Sequence, residues 1–126
     1  MRTKLKRRAS TALLALSLGM AGVCAHAGGP PVNRAPGFLA DTAGRALYTY
    51  DKDTAGTSNC YAQCAVLWPP LLAGDADAPT GDFTLVVRKD GRRQWAFKGM
   101  PLYYWVSDRP SAAPTGEAVA GWHLVR

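Results

Sequence analysis

Two six-residue signatures carry most of the side chains with chemical capacity: Tyr48-Thr49-Tyr50-Asp51-Lys52-Asp53 and Tyr103-Tyr104-Trp105-Val106-Ser107-Asp108. Each places two aromatic residues two positions apart and a carboxylate three positions later. Aromatic rings with one carboxylate suit a sugar, a cation or a partner peptide. Tyr48, Tyr50, Asp53, Tyr103, Trp105 and Asp108 are therefore candidate binding residues. The same pattern also serves a core, and this is the reading it favours. Buried rings would keep their hydroxyls hydrogen-bonded at the edge. Asp53 and Asp108 would then accept backbone N–H bonds in the loops that follow.

Cys60 and Cys64 form the other reactive pair, in Ser58-Asn59-Cys60-Tyr61-Ala62-Gln63-Cys64-Ala65-Val66-Leu67-Trp68-Pro69-Pro70. Ser58 or Asn59 is expected to cap a short helix, and the two prolines to end it. On that helix the cysteines lie one turn apart, with Cα atoms about 6 Å from each other. A disulfide fits, closing a small loop as a local staple. The alternative is a periplasmic thiol/disulfide redox protein, although the thioredoxin-type motif is C-x-x-C on a βαβ unit. A further alternative is metal or haem capture near His123, Met100 and the tyrosines, but one histidine and one methionine do not make a copper or haem site by themselves. The sequence shows no Ser/His/Asp set, P-loop, dinucleotide fingerprint or zinc spacing. No catalytic residue, metal ligand or cofactor is assigned, and the expectation is a non-enzymatic protein.

The elements that position these residues are duplicated. Both signatures belong to a longer pattern, G-x-x-L-Y-x-aromatic-x-x-D, that recurs at an offset of 55 residues. Trp68 follows Tyr48 by 20 positions and Trp122 follows Tyr103 by 19. Such a period marks one supersecondary unit used twice, each copy burying its apolar face on the other. Strands are expected at 37–40, 45–50, 82–88, 92–97, 101–106 and 119–125, with a hairpin at Asp90-Gly91. The fold class is mainly β: antiparallel hairpins in two pseudo-repeats, related by a pseudo-twofold axis, with one short helix near the cysteines. The sequence does not choose among a curved sheet, a small barrel and a sandwich. Strand alternation puts Tyr48 and Tyr50 on one face and Leu47 on the other, with Tyr103 and Trp105 opposite Leu102 in the second copy.

Ahead of this unit stands an address. Arg2, Lys4, Lys6, Arg7 and Arg8 precede an apolar run at 11–23, and Ala25-His26-Ala27 is an A-x-A cleavage signal. Residues 1–27 are read as a signal peptide, 28–36 as a flexible arm and 37–126 as a single β domain containing both repeats. Cys24 follows Val23 where a lipobox needs a small residue. The expected location is thus periplasmic or secreted, with lipid anchoring to the cell envelope through Cys24 as the alternative. The leader carries five of the 15 Lys and Arg residues and none of the nine acids, so the net charge of +6 falls to +1 once it is removed. That balance argues against nucleic acid as a partner. The basic cluster Arg88-Lys89-Asp90-Gly91-Arg92-Arg93 is expected to be a solvated hairpin tip.

These residues resemble a known family, the secreted-repeat proteins described as predicted lipoproteins with a Yx(FWY)xxD motif. Both six-residue signatures fit that motif, and Cys60 to Cys64 with Leu67-Trp68-Pro69-Pro70-Leu71 is similar to the family's cysteine segment. The likeness extends over almost all of the chain after the leader. It implies a bacterial cell-envelope protein whose partner, an envelope component or a small ligand, is unassigned.

Overall fold

Prolines and glycines cut the chain into short extended pieces, which pair where their alternating faces match. The computed structural model describes residues 28–126, so the expected signal peptide at 1–27, and Cys24 within it, lie outside the described residues. β1 (Val32–Ala35) turns through Pro36-Gly37 into β2 (Phe38–Asp41), with Gly37 at φ 87° supplying the positive angle that tight turn needs. β3 (Tyr48–Tyr50) comes next, then helix α1 (Gln63–Leu67) and β4 (Leu72–Ala73). β5 (Phe83–Val87) and β6 (Arg93–Phe97) form an antiparallel hairpin over Asp90-Gly91, and β7 (Met100–Pro101) folds back on β6. A 3₁₀ turn at Gly116–Ala118 leads into β8 (Trp122–Leu124). The protein is mainly antiparallel β with one short α-helix beside the cysteines, as its sequence pattern predicts.

The two copies exchange their last segments. β8, from the end of the second copy, pairs with β3 of the first, Tyr48 lying opposite Leu124. β4, which follows the first signature, pairs with β6 in the second half. The equivalent hydrogen bonds come in matched sets. Leu39 N–H donates to Val125 C=O (2.8 Å) as Trp95 N–H donates to Leu71 C=O (2.8 Å). Val125 N–H donates to Leu47 C=O (3.1 Å) as Leu71 N–H donates to Leu102 C=O (2.9 Å). At the centre Tyr48 and Tyr103 exchange both their backbone bonds, 2.8 and 2.9 Å, which is what a pseudo-twofold relation between the copies requires.

Strand alternation then sorts the interior into two cores. Leu39, Leu47, Leu71, Trp95, Phe97, Leu102 and Val125 pack on one side. Ala46, Tyr48, Cys60, Trp68, Tyr103, Trp122 and Leu124 pack on the other. Tyr50 and Trp105 join the aromatic core and Tyr104 the leucine core, the faces that alternation predicts.

Several boundaries differ from those expected. The stretch 28–36, expected to be an arm, carries β1: Pro30, Pro31 and Pro36 flank the four paired residues, and Val32 packs against the leucine core. The extended piece 101–106 is a strand only at Pro101. Beyond it Tyr103 N–H goes to Tyr48, Tyr104 N–H to Pro69 and Val106 N–H to Leu67, so no single ladder forms. The helix starts at Gln63, after Ala62 at φ 52°, and therefore excludes Cys60. Ser58 and Asn59 do not cap it: the Ser58 hydroxyl is bound to Tyr103, and the Asn59 side chain donates to the Lys52 carbonyl.

Candidate functional site

Each signature completes the other. Tyr48 Oη donates to Asp108 Oδ2 at 2.5 Å, and Tyr103 Oη donates to Asp53 Oδ2 at 2.6 Å. The tyrosine of one copy thus closes on the aspartate of its partner copy across the pseudo-twofold seam. The second oxygen of each carboxylate binds its own following loop: Asn59 N–H reaches Asp53 Oδ1 at 2.7 Å and Thr115 N–H reaches Asp108 Oδ1 at 2.9 Å. Both tyrosines are fully buried, and Asp53 and Asp108 are only 6% and 8% exposed. Burial, reinforced by the facing carboxylate, holds the Tyr48 and Tyr103 phenols well above their ordinary pKa. Burial likewise raises the Asp53 carboxyl, an effect its Tyr103, Asn59 and Arg88 neighbours only partly offset. A third cross-copy pair, Tyr104 Oη to Asp41 Oδ2 at 2.9 Å, lies on the leucine side, with the Arg45 guanidinium over the Tyr104 ring.

The supports behind the two latches are unlike. Behind Tyr103 the hydroxyl also meets Ser58 Oγ at 2.6 Å. Ser58 in turn accepts from Arg88 Nη1 (3.0 Å), which donates to Gln94 Oε1 as well (2.7 Å), while Arg88 Nη2 donates to Cys60 C=O (2.7 Å). Arg88 is 2% exposed and stacks on Tyr61. The expected solvated tip therefore begins at Lys89. Arg88 shares the face of buried Val86, and the acceptors gathered there replace the water of Nη1 and Nη2, while its buried Nε has no partner. Behind Tyr48 the hydroxyl accepts the Gly116 N–H at 3.0 Å instead. A Cβ at Gly116 would stand 2.7 Å from Tyr48 Cζ, so the backbone approaches there only because the residue is glycine.

Four rings form one pile along the seam. Tyr50 stacks on Trp122 (4.2 Å between centroids) and Trp122 on Trp68 (3.8 Å), while Trp105 packs on Trp68 at 4.4 Å with its plane tilted by 31°. Tyr48 meets Trp68 edge-on at 5.3 Å and Tyr103 meets Trp122 edge-on at 5.1 Å, each within its own copy. The spacing of Trp68 and Trp122 behind their tyrosines thus corresponds to a direct contact. Of the six candidate binding residues, Tyr48, Asp53, Tyr103 and Asp108 are buried, while Tyr50 and Trp105 are half-buried at the two ends of the pile.

Cys60 and Cys64 are joined in a disulfide, with Cα atoms 5.2 Å apart. Cys60 is fully buried and Cys64 half-buried. His123 sits on β8 with its side chain outward, Nε2 2.6 Å from Asp51 Oδ1, and Met100 lies on β7 in a separate sheet. Among the described residues no three His, Cys, Asp or Glu side chains gather into a metal-sized cluster, and no helix is long and apolar enough to cross a membrane. A surface cavity of about 430 Å³ lies between the β1–β2 turn and the loop at Ser111–Ala113 and is walled mainly by Ala35, Pro36, Phe38, Ala112 and Ala113. None of the signature residues lines it. Sequence reasoning missed Ser58, Arg88, Gln94 and Gly116 as members of the latches. Period-two alternation from Val86 to Arg88 was the one available signal.

A family model described as a secreted repeat of unknown function matches residues 31–72 and again 84–126. Each match spans one hairpin, one signature and the final segment that is exchanged with the other copy. Among curated proteins and solved structures, nothing matches the chain. The two matches cover most of its length, and the chain belongs to this secreted-repeat family, as an exported protein built from two copies.

Proposed function

We propose that this exported protein is a non-enzymatic domain of the cell envelope, acting as a structural component or by binding an envelope partner or small ligand. One observation carries the reading: the groups best suited to chemistry, the two Tyr–Asp pairs, are spent on each other inside the fold. A buried phenol saturated by a carboxylate stabilises the seam and is closed to substrate. The leader pattern supports a periplasmic or secreted location, with anchoring through Cys24 as the alternative that mass spectrometry of the purified N-terminus decides.

The aspartates give the test. Asp53→Ala and Asp108→Ala each strip a buried hydroxyl and a loop N–H of their acceptor. Each is expected to lower stability by about 2–3 kcal/mol, read as a drop in melting temperature. Unchanged melting with an altered envelope phenotype would instead place a binding site at the signatures. Hydrolase turnover, or dithiol exchange lost in Cys64→Ser, would overturn the non-enzymatic assignment.

A further inference from the structure

The ring pile has an electronic property that packing does not require. Its inner members, Trp68 and Trp122, are almost parallel (4°) and nearly fully buried. Its end members, Tyr50 and Trp105, reach solvent on opposite sides of them. Rings at these separations are in π contact. Apolar area alone could come from leucine or phenylalanine, yet every ring in the pile is a tryptophan or a tyrosine, the side chains that most readily give up one electron. The two tyrosines that touch its middle edge-on are the two whose hydroxyls already rest on a carboxylate. An oxidised phenol is a strong acid, so a base within hydrogen-bond reach decides where an oxidising equivalent comes to rest.

We propose that the pile Tyr50–Trp122–Trp68–Trp105 is a one-electron relay, carrying an oxidising equivalent from the protein surface to a buried Tyr–Asp pair. A small diffusible radical oxidant meeting Trp105 or Tyr50 takes one electron from the ring and is itself reduced by one electron. Electrons move along the pile toward the vacancy, which passes to Trp68 or Trp122. Tyr48 then gives an electron to Trp68 and its phenolic proton to Asp108 Oδ2; Tyr103 does the same for Trp122, with Asp53 Oδ2 taking the proton. Each outcome is a neutral tyrosyl radical beside a neutral carboxylic acid, so no new charge is buried. A small thiol or phenolic reductant later returns one electron, and the proton goes back to the tyrosine oxygen. Burial already favours the neutral form of Asp53. Such a relay would protect an exported protein from radical damage at its surface, an activity additional to the structural role.

The test uses the whole exported protein with a ruthenium polypyridyl photosensitiser and persulfate as the one-electron oxidant. Transient absorption should show an indolyl radical whose decay matches the rise of a tyrosyl radical, at a rate independent of protein concentration. Tyr61→Phe and Tyr104→Phe, outside the pile, should leave this unchanged. Tyr50→Phe with Trp105→Phe, which keep rings at both ends, should lose the fast phase. In the Tyr48→Phe, Tyr103→Phe double variant the radical should stay on indole. Where that variant does not fold, paramagnetic resonance of the unsubstituted protein in light and heavy water replaces it, and the trapped tyrosyl radical should show two exchangeable protons at its oxygen, one from the aspartic acid and one from the Gly116 N–H at Tyr48 or the Ser58 hydroxyl at Tyr103. A tyrosyl signal lost in Tyr61→Phe or Tyr104→Phe, a rise proportional to protein concentration, or an indolyl radical that never passes to tyrosine would overturn the relay.

Discussion

The two Tyr–Asp latches have the same geometry and different foundations. Tyr103 and Asp53 rest on side chains: Ser58, a buried Arg88, Gln94 and a loop tied by the Cys60–Cys64 disulfide. Tyr48 and Asp108 rest mainly on backbone: the Gly116 N–H and the Thr115 N–H at a 3₁₀ turn, with the Thr115 hydroxyl adding one side-chain bond to Asp108 and with no cross-link. Duplication therefore preserved the contact across the seam and left each copy free to support it locally. The side-chain version brings a buried cation near its aspartate, while the backbone version depends on the absence of a Cβ.

The strongest way to break the comparison is to remove each foundation separately. Arg88→Met strands the acceptors at Ser58, Gln94 and the Cys60 carbonyl, and Gly116→Ala forces a methyl into Tyr48 and Trp68. Each should cost about 3 kcal/mol in denaturant unfolding. Hydrogen exchange should show the damage first at 57–62 for Arg88→Met and at 115–119 for Gly116→Ala. Damage spread equally over both loops by either variant would show the latches to be one cooperative unit.

Reducing the disulfide acts on one side only. The loop it closes spans four positions, so the chain-entropy contribution is about 2 kcal/mol. Loss of protection should centre on the segment that supplies Ser58 and the Cys60 carbonyl, and the loop at 109–116 should keep its exchange rates.

Removing the tyrosine hydroxyls sharpens the contrast further. Tyr48→Phe leaves both Asp108 Oδ2 and the Gly116 N–H without a partner, a cost of about 2 kcal/mol. Tyr103→Phe strands Asp53 Oδ2 and the Ser58 O–H, but that hydroxyl rotates freely whereas the Gly116 N–H is fixed by the backbone, so the cost should be nearer to about 1 kcal/mol. Equal losses in paired melting curves would contradict the difference in support.

The smallest effect is a pH dependence. The folded Asp53 carboxyl has a raised pKa, chiefly through burial. Its contribution is therefore complete below its unfolded pKa of about 4 and is lost as the pH rises through the folded value. Asp53→Asn should remove that downward slope from stability curves measured in the mildly acidic range. A slope unchanged by the substitution would assign it to another group.

Much of this arrangement was legible in the residues alone. The 55-residue offset marks two copies, and strand alternation sorts Leu47 and Leu102 from Tyr48 and Tyr103. The cysteine pairing and the loop bonds of Asp53 and Asp108 were equally readable, because each joins residues within seven positions of one another. Local spacing and side-chain period are properties of the chain itself, and they were enough for these features. What tertiary structure alone decided is which copy each tyrosine serves. Nothing in spacing says that Tyr48 closes on Asp108 and Tyr103 on Asp53, since that depends on how two extended segments cross at the seam. The same holds for Arg88, whose burial needs acceptors brought from 28 to 30 positions away at Cys60 and Ser58, and for the pile of rings that only the exchange of β4 and β8 assembles. A contact between distant residues is an outcome of the global fold, and a linear pattern carries its ingredients without its pairing.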